Sequence, residues 1–158
     1  MQLKENWIDI KRLFRRAFGS SFHYAFATVN ENGEPHVTPI GSLILCDPGH
    51  GFYFEEFTRQ LPQNLRKNRQ ICVLAVNSSR WFWLISLFRG RFASPPAMRL
   101  YGTVGDVREA TEKEISLWHR RVRTVRSSKG YSIMWENMKM VRDITFSRVE
   151  PVHFGQMT

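Results

Sequence analysis

Apolar residues recur along this chain at two spacings, and the switches between them mark its elements. Trp7, Ile10, Phe14 and Phe18 are separated by three, four and four positions, with Lys11, Arg12, Arg15 and Arg16 largely off that stripe. This predicts an amphipathic helix within residues 1–20, closed by Gly19-Ser20-Ser21. From Phe22 to Val29 the residues are β-branched, aromatic or small and predict a strand. Asn30-Glu31-Asn32-Gly33-Glu34 then predicts a turn in which Gly33 takes positive φ. A second strand is predicted from His36 to Cys46. Pro39 lacks a backbone donor, so it marks an edge or a bulge, and Gly41 lets another group approach the chain closely. A flat ligand could lie there.

Asp47-Pro48-Gly49-His50-Gly51 is a turn before a third strand, Phe52 to Phe57. Thr58 is placed to cap the next helix, with Pro62 in its first turn, Leu65 facing in and Arg66-Lys67 facing out. The continuous apolar run Ile71 to Val76 predicts a central strand. Residues 78–97 are the least regular stretch, with Trp81-Phe82-Trp83, Arg80, Arg89 and Arg91, closing on Ser94-Pro95-Pro96. Their length predicts an insertion or arm that acts as a lid or an interface element. Met98 to Val107 reads as a strand with bulges at Gly102 and Gly105. Thr111 to Glu114 is a capping box for a helix whose core stripe is Ile115, Trp118, Val122 and Val125. Asp143 to Phe154 closes the fold as a strand. No repeat or second domain interrupts the series, so residues 1–158 read as one domain. Antiparallel hairpins with inserted helices make it α+β, a small, mostly antiparallel barrel of about six strands with flanking helices.

The longest apolar run, Trp81 to Phe88, is broken by Ser86 and is far short of the roughly 20 residues a membrane-spanning helix needs. The first residues lack the apolar block of a signal peptide, so a cytoplasmic location is expected. Cys46 and Cys72 have no CxxC partner and are expected as buried reduced thiols. The net charge of +9 gathers at Lys11-Arg12 with Arg15-Arg16, at Arg66-Lys67 with Arg69, and at Arg120-Arg121 with Arg123 and Arg126. Such a balance suits an anionic ligand, nucleic acid or an acidic membrane surface, though solvated helix faces explain most of it.

Motif chemistry is sparse. There is no G-x-S-x-G elbow, and the five histidines, His23, His36, His50, His119 and His153, lack metal-ligand spacing. Gly102-Thr103-Val104-Gly105 lies within a strand, so it is no dinucleotide fingerprint. What remains is Thr58 to Asn64, where a strand end passes into a helix start, a place that attracts anions. Thr58 offers a hydroxyl, Arg59 a bidentate guanidinium and Gln60 an amide. Local sequence alone favours the plainer reading of a cap beside a surface arginine.

Pro35-His36-Val37-Thr38-Pro39-Ile40-Gly41, then Phe52-Tyr53-Phe54, then Thr58-Arg59 leading to Asn64-Leu65 and Asn68, resembles the pyridoxamine 5'-phosphate oxidase-like family. The resemblance covers about residues 22–109, and the closing strand also looks similar. It implies an FMN-binding split β-barrel, a homodimer with the cofactor at the subunit interface. Carried over, His36, Val37, Thr38, Pro39 and Ile40 line the flavin. Glu55, Glu56, Phe57, Thr58, Arg59 and Gln60 hold its phosphate, Thr58 and Arg59 foremost, and Asn64 supports that loop. Leu61 stands roughly where members often carry a lysine, and Arg59 could substitute for it. Arg99 is placed to stabilise the reduced ring. The function so implied is an FMN-dependent oxidoreductase using a small-molecule electron donor or acceptor, in which the flavin does the chemistry and no protein acid or base is needed. The alternative is a non-enzymatic flavin- or haem-binding protein on the same fold. Nucleic-acid binding is the weakest expectation, because aromatics interleave with arginines from Trp81 to Arg91 without an accompanying motif.

Overall fold

The structure, a computed structural model, describes residues 1–125, 130 and 138–157; Arg126 and the side chain of Val125 lie outside what it describes. Helix α1 (Trp7–Ser21) buries Trp7, Ile10, Leu13, Phe14 and Ala17. It runs through Gly19 and ends instead on Phe22, whose φ of 61° breaks the helix and leaves its N–H on the Phe18 carbonyl. Among the described residues seven strands follow: β1 (Tyr24–Val29), β2 (Pro35–Ile40), β3 (Ile44–Leu45), β4 (His50–Phe54), β5 (Gln70–Val76), β6 (Ala97–Glu109) and β7 (Met140–Pro151). Helices α2 (Gln60–Lys67), α3 (Arg80–Arg89) and α4 (Glu112–Arg121) lie between them.

The strands form one antiparallel sheet in the order β2-β1-β5-β6-β7-β4-β3. Its two edge strands are joined by only three residues, Gly41, Ser42 and Leu43. Laid flat, six strand gaps of about 4.8 Å would hold those edges about 29 Å apart. Four chain steps reach at most about 14 Å. The sheet must therefore curl until its edges approach, which makes it a barrel split between β2 and β3.

The predicted second strand is thus two strands on opposite edges. At the break, a Cβ on Gly41 would lie 2.7 Å from the Phe22 carbonyl oxygen, so the close approach inferred there is made by the chain itself. The Ser42 hydroxyl donates to the Phe54 carbonyl (3.0 Å) and accepts from the Phe54 N–H (3.1 Å), replacing a missing strand pairing. Pro35 and Pro39 both sit in regular register on the outermost strand, where a missing N–H costs no ladder bond. Gly33 turns the β1–β2 hairpin at φ 80°, while the Asn30 side-chain oxygen accepts from the Asn32 and Glu34 N–H groups.

Residues 80–89, expected to be irregular, form the regular helix α3. Local apolarity hid it: Trp81 to Phe88 is apolar around nearly the whole circumference, so no stripe shows. The capping box at α4 is present in full, with Thr111 Oγ1 accepting from the Glu114 N–H (3.3 Å) and Glu114 accepting from the Thr111 N–H (2.8 Å). Arg108 also donates to Glu114 (2.7 Å) and to Asp143 (2.6 Å). The Arg108 hydrogen bond is the main reason the Glu114 carboxyl titrates at about 2, below its unfolded value. Its stabilising contribution is complete above the unfolded pKa and is lost as pH falls from about 4.5 to about 2. Glu114→Gln is expected to flatten that acid limb in melting temperatures measured against pH, and an unchanged limb would show that Glu114 is not its source.

Cys46 and Cys72 are free and half-buried rather than fully buried, and burial pushes both thiols up. Among the described residues no helix is long and apolar enough to cross a membrane.

Candidate functional site

Strand β2 divides its residues between the two faces of the sheet. Register places Ile40, Thr38 and His36 opposite Tyr24, Phe26 and Thr28, whose side chains are buried in the barrel. Thr38 Oγ1 lies 3.4 Å from His36 Nδ1 on that inner side. Val37 and Pro39 point outward and are exposed.

On the outer face the register lines up two rows. Val37, Ala27, Cys72, Tyr101 and Arg148 form one, and Pro39, Ala25, Leu74, Arg99 and Glu150 the other. Alanines beside β2 leave a flat apolar platform, and the far ends of both rows are charged. There Tyr101 donates to Glu150 (2.8 Å), Arg148 stacks over the Tyr101 ring (3.8 Å), and Arg99 lies 3.9 Å from Glu150. The hydrogen bond to Glu150 leads the causes that raise the Tyr101 phenol above its ordinary value. This face can take a flat ring or a second protein surface. The sequence reading named Val37, Pro39 and Arg99 separately; their alignment needed the strand order.

The junction between β4 and α2 holds the other predicted residues. Arg59, exposed, occupies the cap position of α2, and Thr58 makes no capping hydrogen bond. Instead Thr58 Oγ1 is buried and has no hydrogen-bond partner. Gln60 donates to Asn64 (2.9 Å), and Asn64 donates to Thr28 (2.9 Å), pinning α2 onto β1 directly opposite His36 of β2. The acidic residues turn elsewhere. Glu55 accepts from Tyr53 (2.9 Å) and Arg142 (2.6 Å), a pair almost out of solvent. Glu56 accepts from the Lys139 and Met140 N–H groups, and Phe57 is exposed. The structure thus joins Thr58, Arg59, Gln60 and Asn64 at one helix start and sets Glu55 and Glu56 into backbone and ion-pair bracing.

Sequence reading passed over Arg121. Its largely buried guanidinium, lowered in pKa by that burial, donates to the Leu43 carbonyl and the Tyr24 hydroxyl and lies 4.0 Å over the Phe18 ring. It lines a cavity of about 770 Å³ between α1 and α4. No local spacing signals such a residue; it looks like one more charge in a basic helix.

A curled antiparallel sheet of this order, with joined but unpaired edges, places the chain among the split β-barrels. It belongs to the pyridoxamine 5'-phosphate oxidase family, whose family model, described as Pyridoxamine 5'-phosphate oxidase, matches residues 14–156. Solved structures share the fold at low identity. HupZ from Group A Streptococcus is 18% identical with a TM-score of 0.60, covering 92% of each chain. An FMN-binding protein from Syntrophomonas wolfei subsp. wolfei is 14% identical with a TM-score of 0.59, covering 95% of this chain and 94% of that one. HutZ, the heme storage protein from Vibrio cholerae, is 13% identical with a TM-score of 0.53 and is covered end to end, as is this chain. No curated protein matches the sequence. The α+β split barrel expected from sequence is therefore the fold, with seven strands among the described residues where about six were expected.

Proposed function

We propose that this chain is an FMN-binding flavoprotein, working in the cytoplasm as a homodimeric oxidoreductase with a small-molecule electron donor or acceptor. The observation that carries the reading is the buried Thr58 hydroxyl without a partner at the start of α2. Leaving such a group unsatisfied costs about 1–3 kcal/mol, so a fold tolerates it best where a ligand completes it. The leading N–H groups of a helix have no intrahelical partner either, and they favour an anion. Thr58, those N–H groups and the Arg59 guanidinium would hold the cofactor phosphate. Gln60 and Asn64 fix the helix on β1, and Glu55 and Glu56 brace the junction from behind. The inner half of β2 (His36, Thr38 and Ile40) and its outer half (Val37 and Pro39) would flank the ring, with Arg99 on the same outer face. A second copy on the flat outer platform would exclude water. When bound, FMN supplies the electron or hydride transfer.

The purified protein is expected to be yellow and to release FMN on denaturation, or to quench added FMN fluorescence when titrated. Thr58→Val and Arg59→Ala should each weaken FMN binding about tenfold or more, the scale of a hydrogen bond to a charged group. A colourless protein that fails to quench FMN overturns the reading. A Soret band on the purified protein would instead identify a haem carrier on this fold.

A further inference from the structure

Among the described residues, helix α3 is held to the barrel through one face. Trp83 donates through its indole N–H to the Asn77 carbonyl (2.7 Å), and its ring meets Phe92 (5.1 Å) and Phe154 (5.4 Å) edge-on. Phe82 stacks on Phe92 (5.6 Å), and Ser86 is buried beneath. The opposite face carries Trp81, Leu84, Ile85 and Phe88, at the i, i+3, i+4 and i+7 positions that share one side of a helix. Trp81 is 73% exposed and Phe88 85%, so the largest apolar side chains of this face stand in solvent.

Charge decides what would cover them. Arg80 and Arg89 bracket the helix, Arg91 follows it, and all three are exposed. From residue 57 to residue 105 the chain has eight arginines and lysines and no acidic residue. A two-fold contact with a second copy would set these arginines against their equivalents, and residues 57–105 supply no acid to pair them. Nucleic acid would stack on aromatics, but two of the four in α3, Phe82 and Trp83, are already used inside, and aliphatic Leu84, Ile85 and Leu87 are exposed beside Trp81 and Phe88. Aromatic and aliphatic side chains flanked by arginines match the boundary between lipid headgroups and acyl chains.

We infer that α3 is a membrane-surface anchor, laying its Trp81–Leu84–Ile85–Phe88 face into a bilayer that carries anionic lipid while Arg80, Arg89 and Arg91 contact the headgroups. A short apolar face binds marginally alone, so the basic flank is the required second signal. The anchor works whether or not the barrel holds a cofactor.

Flotation of the full chain with vesicles tests it. Binding is expected to phosphatidylcholine vesicles containing about one third phosphatidylglycerol and not to pure phosphatidylcholine, and it should weaken as salt rises. Phe88→Glu should abolish flotation while far-UV circular dichroism and melting temperature stay unchanged, since that side chain touches solvent. Each of Arg80→Ser, Arg89→Ser and Arg91→Ser should weaken binding about fivefold. No flotation with anionic vesicles overturns the inference, as does equal binding to both vesicle types. So does a dimer that Phe88→Glu splits without any vesicle binding, or salt-dependent retention on single-stranded DNA in place of vesicles.

Discussion

Arg142→Met is expected to lower folding stability by about 3–5 kcal/mol, a large share of what a domain of this size has to lose. Arg142 donates to Glu55 at 2.6 Å and to the Gly105 carbonyl at 3.1 Å, linking β7 to the end of β4 and to β6. The two side chains are only 11% and 8% exposed. Removing the guanidinium leaves a buried carboxylate whose remaining side-chain donor, among the described residues, is the Tyr53 hydroxyl. Burial, with Glu55 beside it, holds that phenol well above its ordinary value, so it serves Glu55 as a neutral hydrogen-bond donor and brings no compensating charge. The pair need not be stabilising in itself for its breakage to be costly, because what is lost is compensation for a desolvated charge. Arg142→Met/Glu55→Leu should accordingly recover much of the deficit. Urea unfolding of the two variants separates these cases. A single variant as stable as the parent, or a double variant worse than the single, would show that the ion pair is not what matters there.

That pair also shows where sequence reading stops. Residues close in the chain were legible: the Thr111–Glu114 box, the α1 stripe, the Gly33 turn and the central strand β5 all announce themselves within one element. Glu55 and Arg142 are 87 positions apart, and nothing local distinguishes a bracing carboxylate from one that faces a ligand. The same limit applies to Thr58. A threonine before a helix looks like a cap, and only the three-dimensional arrangement shows its hydroxyl buried and unpaired. Gly41 failed in the opposite direction: the need for close approach was visible, but the approaching group, the Phe22 carbonyl, lies across a chain reversal. In α3 the pattern was misleading because an apolar helix exposed on one side has no polar face to reveal its period.

Gly102→Ala should be the most damaging of the glycine-to-alanine changes in the sheet. Its Cβ would fall inside permitted contact with the Thr145 carbonyl oxygen, 3.0 Å from Phe146 Cα and 3.1 Å from Phe146 Cδ1. Two of these three are backbone atoms of a strand paired on both sides, so they cannot swing away. Here the β6–β7 register slips: Tyr101 faces Arg148 while Gly102 faces Phe146, leaving Ser147 as the extra residue of a bulge. Relief would require β7 to move, which disturbs buried Phe146 and the Arg148–Tyr101 stack on the outer platform. Overpacking of this kind costs about 1–3 kcal/mol or more, and the upper end is expected. Gly105 supplies the control. It also lies in an irregular stretch of β6, but an added Cβ would meet only ordinary contacts, Asp143 O at 3.6 Å and Asp143 Cβ at 3.9 Å. Gly105→Ala should therefore unfold near the parent's urea midpoint while Gly102→Ala unfolds well below it. Equal midpoints would mean that β7 can shift freely at its bulge. The outer platform would then be pliable rather than a rigid seat for a ring or a second copy.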